Sequence, residues 1–309
     1  MSLYAVFKGK GPTGFGYGSS AEDVTAGVSL AGKTILVTGC NSGLGFEAMR
    51  VLAARGAHVI GTARTKAKAK EAAAKAGGKI TGLECELASP ASVGGCVAAV
   101  KKLGAPLDAV IANAGIMALP KLNQAYGYEL QFFTNHIGHF ILVTGLLDSL
   151  ADDGRVVMLS SAAHLMAPKD GIQFDNLSGE HGYKGWVAYG QSKIANLLFA
   201  KELARRFAGT KKTANAVHPG VINTNLGRHM AIPAVIGKIG YGIADALFLK
   251  TVGQGAATEC YVAVNPAAAT VSGQYWADSN VAKPRPDAED PALAAKLWEV
   301  SEKIVAGLK

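Results

Sequence analysis

Cysteine is scarce in this chain. It has four among 309 residues, Cys40, Cys85, Cys96 and Cys260, and no C-x-x-C pair. That spacing argues against a zinc site or a disulfide framework, so no metal is expected. It fits a reducing compartment, read as cytoplasmic. Acidic residues are also few, 23 against 31 Lys and Arg, for a net charge of +8. Part of the excess lies in ARTKAKAKEAAAKAGGK (63–79), read as a solvated helix face. Basic–aromatic interleaving is missing, so nucleic acid is not an expected partner. An anionic small ligand suits the positive field better. The start lacks the charged onset and apolar run of a signal peptide. The most apolar late stretch, AIPAVIGKIGYGIADALFL (231–249), is broken by Lys238, Asp245 and several glycines. A transmembrane segment is therefore not expected. No window reads as a linker or a low-complexity tail.

What is there is apolar and periodic. The chain is 49% hydrophobic and 17% charged, enough for a sizeable core. Residues 1–30 are rich in Gly and Ser and read as an arm lying on the domain. After them, strand-like runs alternate with helical stretches. KTILVTG (33–39) precedes a helix from Leu44 to Arg55, and HVIGTA (58–63) precedes the Ala/Lys helix. KITGLEC (79–85) leads to a helix ending near Leu103. LDAVIANAG (107–115) leads to a long helix through about Leu150. RVVMLSS (155–161), TANAVHPG (213–220) and GQYW (273–276) complete the strands, and PALAAKLWEVSEKIVAGL is a final amphipathic helix. Such alternation predicts βαβ units in a doubly wound parallel sheet covered on both faces. Ligands bind such sheets beyond the carboxyl ends of the strands.

TGCNSGLG (38–45) ends the first strand and opens the first helix. Glycines at 39, 43 and 45 permit a tight turn and a close approach to a pyrophosphate. The helix N-terminus adds N–H donors for the anion. The loop residues Gly39, Asn41, Ser42, Gly43, Leu44 and Gly45 are thus cofactor candidates. NAD enzymes carry an acidic residue about 20 positions on. Here the second strand ends in TARTK, with Ala63 and then Arg64. A guanidinium pairs with a 2′-phosphate, so the expected cofactor is NADP(H). Lys66 and Lys68 are candidates to assist.

YGQSK (189–193) sets Tyr189 and Lys193 four apart, on one helix face. A neighbouring ammonium favours the ionised phenol and lowers its pKa, which would make a tuned proton donor.

T-G-x-x-x-G-x-G, N-A-G (113–115), Asn135, Ser161, Y-x-x-x-K and P-G (219–220) together resemble a short-chain dehydrogenase/reductase. The resemblance covers about residues 30–280. NSGLG, FFTNHIGHF, SSAAH and SGQYWAD resemble its retinol-dehydrogenase-like branch. It implies a single Rossmann-like domain (31–309) with substrate loops at about 162–188 and 223–250. It implies that Tyr189 is the general acid/base, that Lys193 lowers its pKa and holds the nicotinamide ribose, and that Ser161 polarises the substrate oxygen. Asn135 would hold a water leading to Lys193. Asn113, Ala114 and Gly115 would floor the adenine-ribose side. Pro219, Gly220, Ile222 and Thr224 would wrap the nicotinamide. Glu86-Leu87 stands where the family has Asp-Leu, which leaves the adenine geometry open. His164 and His181 lie in the first substrate loop, as substrate contacts or exposed residues.

The implied function is a carbonyl reductase or alcohol dehydrogenase for a lipophilic aldehyde or ketone, from the apolar segment after Thr224. An NADP(H)-binding scaffold or redox sensor, and a carbon–carbon double-bond reductase, stand as alternatives. Family members often form homodimers through the helices here near 123–150 and 187–207, so the resemblance implies a homodimer as one option, and a pairing face covered by the long C-terminal and loop additions as the other.

Overall fold

The inner apolar runs become strands because they are short, rich in β-branched residues and buried on both faces, whereas the edge run Ile80–Glu84 is only half-buried. In the computed structural model, residues 8–222 and 249–308 are described. The main strands are β1 (Thr34–Thr38), β2 (His58–Ala63), β3 (Ile80–Glu84) and β4 (Leu107–Ala112). A small hairpin follows, β5 (Gln124–Ala125) and β6 (Tyr128–Glu129). Then come β7 (Leu150–Leu159), β8 (Thr213–His218), β9 (Tyr275–Ala277) and β10 (Asn280–Ala282). The sheet order is β10-β9-β8-β7-β4-β1-β2-β3. Every pairing is parallel except β9 with β10. The order reverses between β1 and β4, where a crevice opens at the strand ends.

Helices cover both faces. On one side lie α1 (Ala21–Val24), α2 (Gly43–Ala54) and α7 (Val252–Val264). On the other lie α4 (Pro90–Lys102), α6 (Gly185–Arg206) and α8 (Pro291–Gly307). The helix α3 (Lys66–Ala76) follows β2. Also on the second face is α5, which starts at Leu130–Phe132, passes through a π-helical stretch Phe133–Ile137 and continues as Gly138–Gly145.

Three expectations are corrected. The long helix from the 107–115 run does not form as one piece: a hairpin with Tyr126 and Gly127 at positive φ intervenes, and α5 ends at Gly145. The fifth long strand starts at Leu150 rather than Arg155, with a register shift against β4. A further strand, β10, follows a turn in which Asp278 and Ser279 both take positive φ.

The arm lies against β10 and α7. Asn280 accepts from Thr13 N–H at 3.1 Å and donates to Phe15 O at 3.0 Å. Gln254 donates to Gly18 O, and Asn265 donates to Val24 O. No helix among the described residues is long and apolar enough to cross a membrane.

Candidate active site

The glycine loop is shaped by what a side chain would strike. A Cβ at Gly45 would meet Asn113 Nδ2 at 2.4 Å and Gly39 O at 2.6 Å. One at Gly39 would meet Ala114 Cβ at 2.9 Å, and the Gly39 backbone holds φ at +75°. The loop therefore packs directly on the N-A-G end of β4. Asn113 donates to Thr38 O at 2.8 Å, and Ala114 N–H donates to Thr38 Oγ1 at 2.9 Å. Ser42 precedes α2 without a side-chain hydrogen bond to it, so the first-turn N–H groups are not capped from within. A groove of about 450 Å³ runs beside them, lined by Asn41, Ser42, Gly43, Phe46, Lys68 and Lys75 among others. These features fit a dinucleotide phosphate. Arg64 lies exposed just before Thr65, which caps α3.

On the adenine side, Glu86 Oε1 accepts from Ala88 N–H at 3.2 Å, closing its own turn. Leu87 is buried against Gly138, where a Cβ would meet Leu87 O at 2.3 Å.

The residues expected to do chemistry come together where β4, β7, α5 and α6 meet. Asn135 sits in the π-helical stretch and is fully buried. Its Nδ2 donates to Ile116 O and Ser192 Oγ, both at 2.9 Å, and its Oδ1 accepts Ile116 N–H at 2.9 Å. That spends both Nδ2 protons and leaves one lone pair on Oδ1. A Cβ at Gly115 would lie 3.0 Å from that oxygen and 3.5 Å from Lys193 Nζ, so both polar atoms face one glycine. Lys193 Nζ donates to Leu159 O at 3.0 Å and lies 5.5 Å from the Tyr189 ring centre.

The two serines after β7 diverge. Ser160 donates to Lys193 O at 2.8 Å, which fixes α6 to the strand end. Ser161 neighbours the Tyr189 phenol. Burial pushes that phenol up to about 12, and Ser161 opposes the rise. Burial pushes Lys193 down to about 8. The packing of the protein thus raises the phenol rather than lowering it. Desolvation, which disfavours both charged forms at once, dominates, and the opposing pull on the phenol comes from Ser161 rather than from Lys193.

The three residues inside YGQSK each have a task. A Cβ at Gly190 would meet Ala163 O at 2.6 Å, so only glycine lets the loop after Ser161 lie on the helix. Gln191 Oε1 accepts Gln173 N–H at 2.9 Å and anchors the same loop. Ser192 links Asn135 to Tyr189 O.

Gly220 holds φ at +95° against the Lys250 side chain, and Ile222 packs over Gly255 of α7 beside Leu44. Pro219 lies between His218 and Gly220 at the end of β8. Thr224 and most of the second loop, 223–250, fall outside the described residues. His164 is buried rather than exposed, with both ring nitrogens bonded to backbone, whereas His181 is exposed.

Sequence reasoning missed His139, one turn after Asn135. Its Nδ1 donates to Asn135 O and its Nε2 accepts from Thr38 Oγ1, both at 2.9 Å, so one ring ties α5 to the end of β1. The spacing of the N-H-I-G-H run carries that signal. Arg285 was also missed, and no local pattern marks it.

Comparison with known proteins agrees with this geometry. Residues 33–232 match the family model described as short chain dehydrogenase. The chain belongs to the short-chain dehydrogenase family. It is 41% identical to "Short-chain dehydrogenase TIC 32 A, chloroplastic" of Brassica napus, over 100% of both chains. It is 39% identical to human "Retinol dehydrogenase 14", over 91% of this chain and 88% of that one. These place it in the retinol-dehydrogenase-like branch. Among solved structures it is similar to a blue fluorescent protein from a metagenomic library in complex with NADPH. That match has 27% identity and a TM-score of 0.63, covering 81% of this chain and 97% of the other.

Proposed function

We propose that the chain is an NADP(H)-dependent reductase of lipophilic aldehydes or ketones, with Tyr189 as the general acid. The observation that carries this is the buried Tyr189 phenol beside Ser161, with the Lys193 amine one turn away on the same helix, 5.5 Å from the ring centre. A phenol held near 12 keeps its proton at neutral pH. It can then donate to an alkoxide forming on the substrate, which is the stronger base. Ser161 would donate to the same oxygen and polarise the carbonyl. Lys193, still largely protonated at pH 7, would hold ribose hydroxyls and stabilise the phenolate after transfer. Asn135 fixes the backbone at Ile116 and faces Lys193 across Gly115, and its spare lone pair suits a water on the proton route.

NADPH bound at the glycine loop would supply the hydride. Gly39, Asn41, Ser42, Gly43, Leu44 and Gly45 would hold its pyrophosphate, with Asn113, Ala114 and Gly115 flooring the ribose. Glu86 and Leu87 would border the adenine, and Pro219, Gly220 and Ile222 the nicotinamide. Arg64, exposed after β2, and Lys68, which lines the groove, favour a 2′-phosphate, and a similar structure in complex with NADPH supports that reading. For the substrate, Leu165, Met166, Trp186 and Val221 are exposed apolar residues on segments flanking Tyr189. The Trp186 ring meets Tyr189 edge-on at 6.1 Å. Such a rim suits a bulky apolar carbonyl.

The face expected to pair two copies is covered by α8. Trp298 stacks on Phe199 at 5.4 Å and meets Phe140 at 5.0 Å. That cover argues against pairing of two copies through α5 and α6. The four thiols are buried and unpaired, as suits a reducing compartment such as the cytoplasm. The plant relative's name places that protein in the chloroplast.

The test follows NADPH and NADH oxidation on a panel of bulky apolar aldehydes and ketones. Turnover that prefers NADPH, with the preference lost in Arg64→Ala, is expected. Tight NADPH binding without turnover on any carbonyl would favour a nucleotide-binding scaffold instead.

A further inference from the structure

Ser161 stands at a turn whose stability is not local. It begins the 3₁₀ turn Ala162–Met166, and among the described residues its hydroxyl, which neighbours the Tyr189 phenol, is held by Ala163 N–H alone, at 3.1 Å. On the inner side, Gly190 lets this turn lie directly on α6. On the outer side the turn is gripped from the far end of the chain. Arg285 Nη1 donates to His164 O at 3.3 Å and Ala167 O at 3.0 Å. Its Nη2 donates to Pro168 O at 2.9 Å and Lys169 O at 3.3 Å. Asp287 fixes the remaining edge of the guanidinium, with Oδ1 accepting from Nε at 2.6 Å.

His164 connects that grip to Ser161. Its Nε2 lies 3.2 Å from Arg285 N–H, which can only donate. Its Nδ1 lies 2.6 Å from Ser161 O, which can only accept. The ring is therefore the neutral tautomer with its proton on Nδ1. It is 2% exposed and lies edge-on to Tyr275 at 5.1 Å, so it cannot turn away.

We propose that Arg285 and His164 are positioning residues, which hold the Ser161 turn in place so that its hydroxyl meets Tyr189. The C-terminal segment after β10 is then part of the active-site support. A guanidinium that bonds four consecutive-turn carbonyls is a stronger organiser than neutral bonds within the loop. Removing it leaves those carbonyls to find other partners and frees the turn to shift. Displacement of a reacting group by about 1 Å costs about a hundredfold in rate. The role assigned to Ser161 rests on the reductase reading.

The test uses the full chain with four variants, Arg285→Ala, Arg285→Lys, His164→Leu and His164→Asn. Two readouts are taken: amide hydrogen exchange of the 162–170 peptides against those of β1 and β2, and NADPH-linked carbonyl reduction. In Arg285→Ala, exchange should rise in 162–170 alone and kcat should fall about tenfold to a hundredfold. NADPH affinity should stay at the wild-type value. Arg285→Lys, which keeps the charge but gathers its donors on one nitrogen without the fork, should fold normally and fall between. Asparagine keeps a donor at the Nδ1 position, so His164→Asn should recover much of the kcat lost in His164→Leu.

Unchanged exchange in 162–170 would overturn the proposal. So would raised exchange with wild-type kcat, or a loss of protection and NADPH affinity across the whole sheet. A wild type that reduces no carbonyl would sink the reductase reading instead, and the exchange comparison would still decide whether Arg285 holds the turn.

Discussion

On the β1–β3 side the candidate site is built from backbone; on the β7–β10 side it is built from side chains held from a distance. The first region uses glycines 39, 43 and 45, an uncapped helix start and the Asn113 amide behind them. Its contacts come from neighbouring strands through short connections. The second region assembles Asn135, Ser161, Tyr189 and Lys193 from α5, β7 and α6. It then braces them with Ser192, His139, His164 and Arg285. Backbone cradles tolerate little change in shape. Side-chain braces tolerate change in shape but not in hydrogen-bonding type.

Changes aimed at each region sharpen that contrast. The largest stability effect belongs to the catalytic half. Trp298 is 5% exposed, stacked on Phe199, with Arg206 3.9 Å over its ring. Trp298→Ala should cost about 3–5 kcal/mol in urea unfolding. A loss below about 1 kcal/mol would mean α8 is only laid on the surface.

Next is the cradle. Gly45→Ala should destabilise by about 1–3 kcal/mol through overpacking against Asn113. It should also weaken NADPH binding by calorimetry, while exchange in 162–170 stays unchanged. Loosening of that distant loop would contradict the separation of the two regions.

A pH effect comes from α7. Glu259 is 1% exposed and neither carboxyl oxygen has a hydrogen-bond partner among the described residues. Burial raises it from its ordinary 4.5 to about 8. The folded state therefore holds a proton that the unfolded state releases above 4.5. Its contribution is full below that pH and is lost as pH rises towards 8. Glu259→Gln has no proton to lose, so its stability relative to wild type should climb by more than about 1 kcal/mol between pH 5 and pH 8. A difference that stays flat with pH would show that Glu259 finds a partner in solution.

The smallest effect concerns the arm. Asn280→Ala removes the bonds to Thr13 and Phe15 and should cost about 1 kcal/mol. Faster proteolysis confined to residues near 8–20 would report it.

The contrast also explains what the sequence reveals. Strand runs are legible because burial on both faces demands continuous apolar residues, and β2 falls where HVIGTA does. The glycine cradle is legible because its function is steric and local. YGQSK is legible as a pair, but the reason for Gly190 and Gln191 needs the loop that packs on them. The hairpin before α5 is hidden because Tyr126 takes positive φ without being glycine. Arg285 is invisible because its partners lie more than a hundred residues earlier in the chain. The Tyr189 pKa is misjudged from sequence because spacing shows the ammonium but not the depth of burial.

The most direct test compares wild type with Tyr189→Phe in NADPH-linked reduction of a bulky apolar aldehyde, with NADPH affinity measured alongside. The expected result is a fall in kcat of about 10²–10⁴-fold with NADPH binding retained. Turnover that survives the loss of the phenol would contradict Tyr189 as the proton donor.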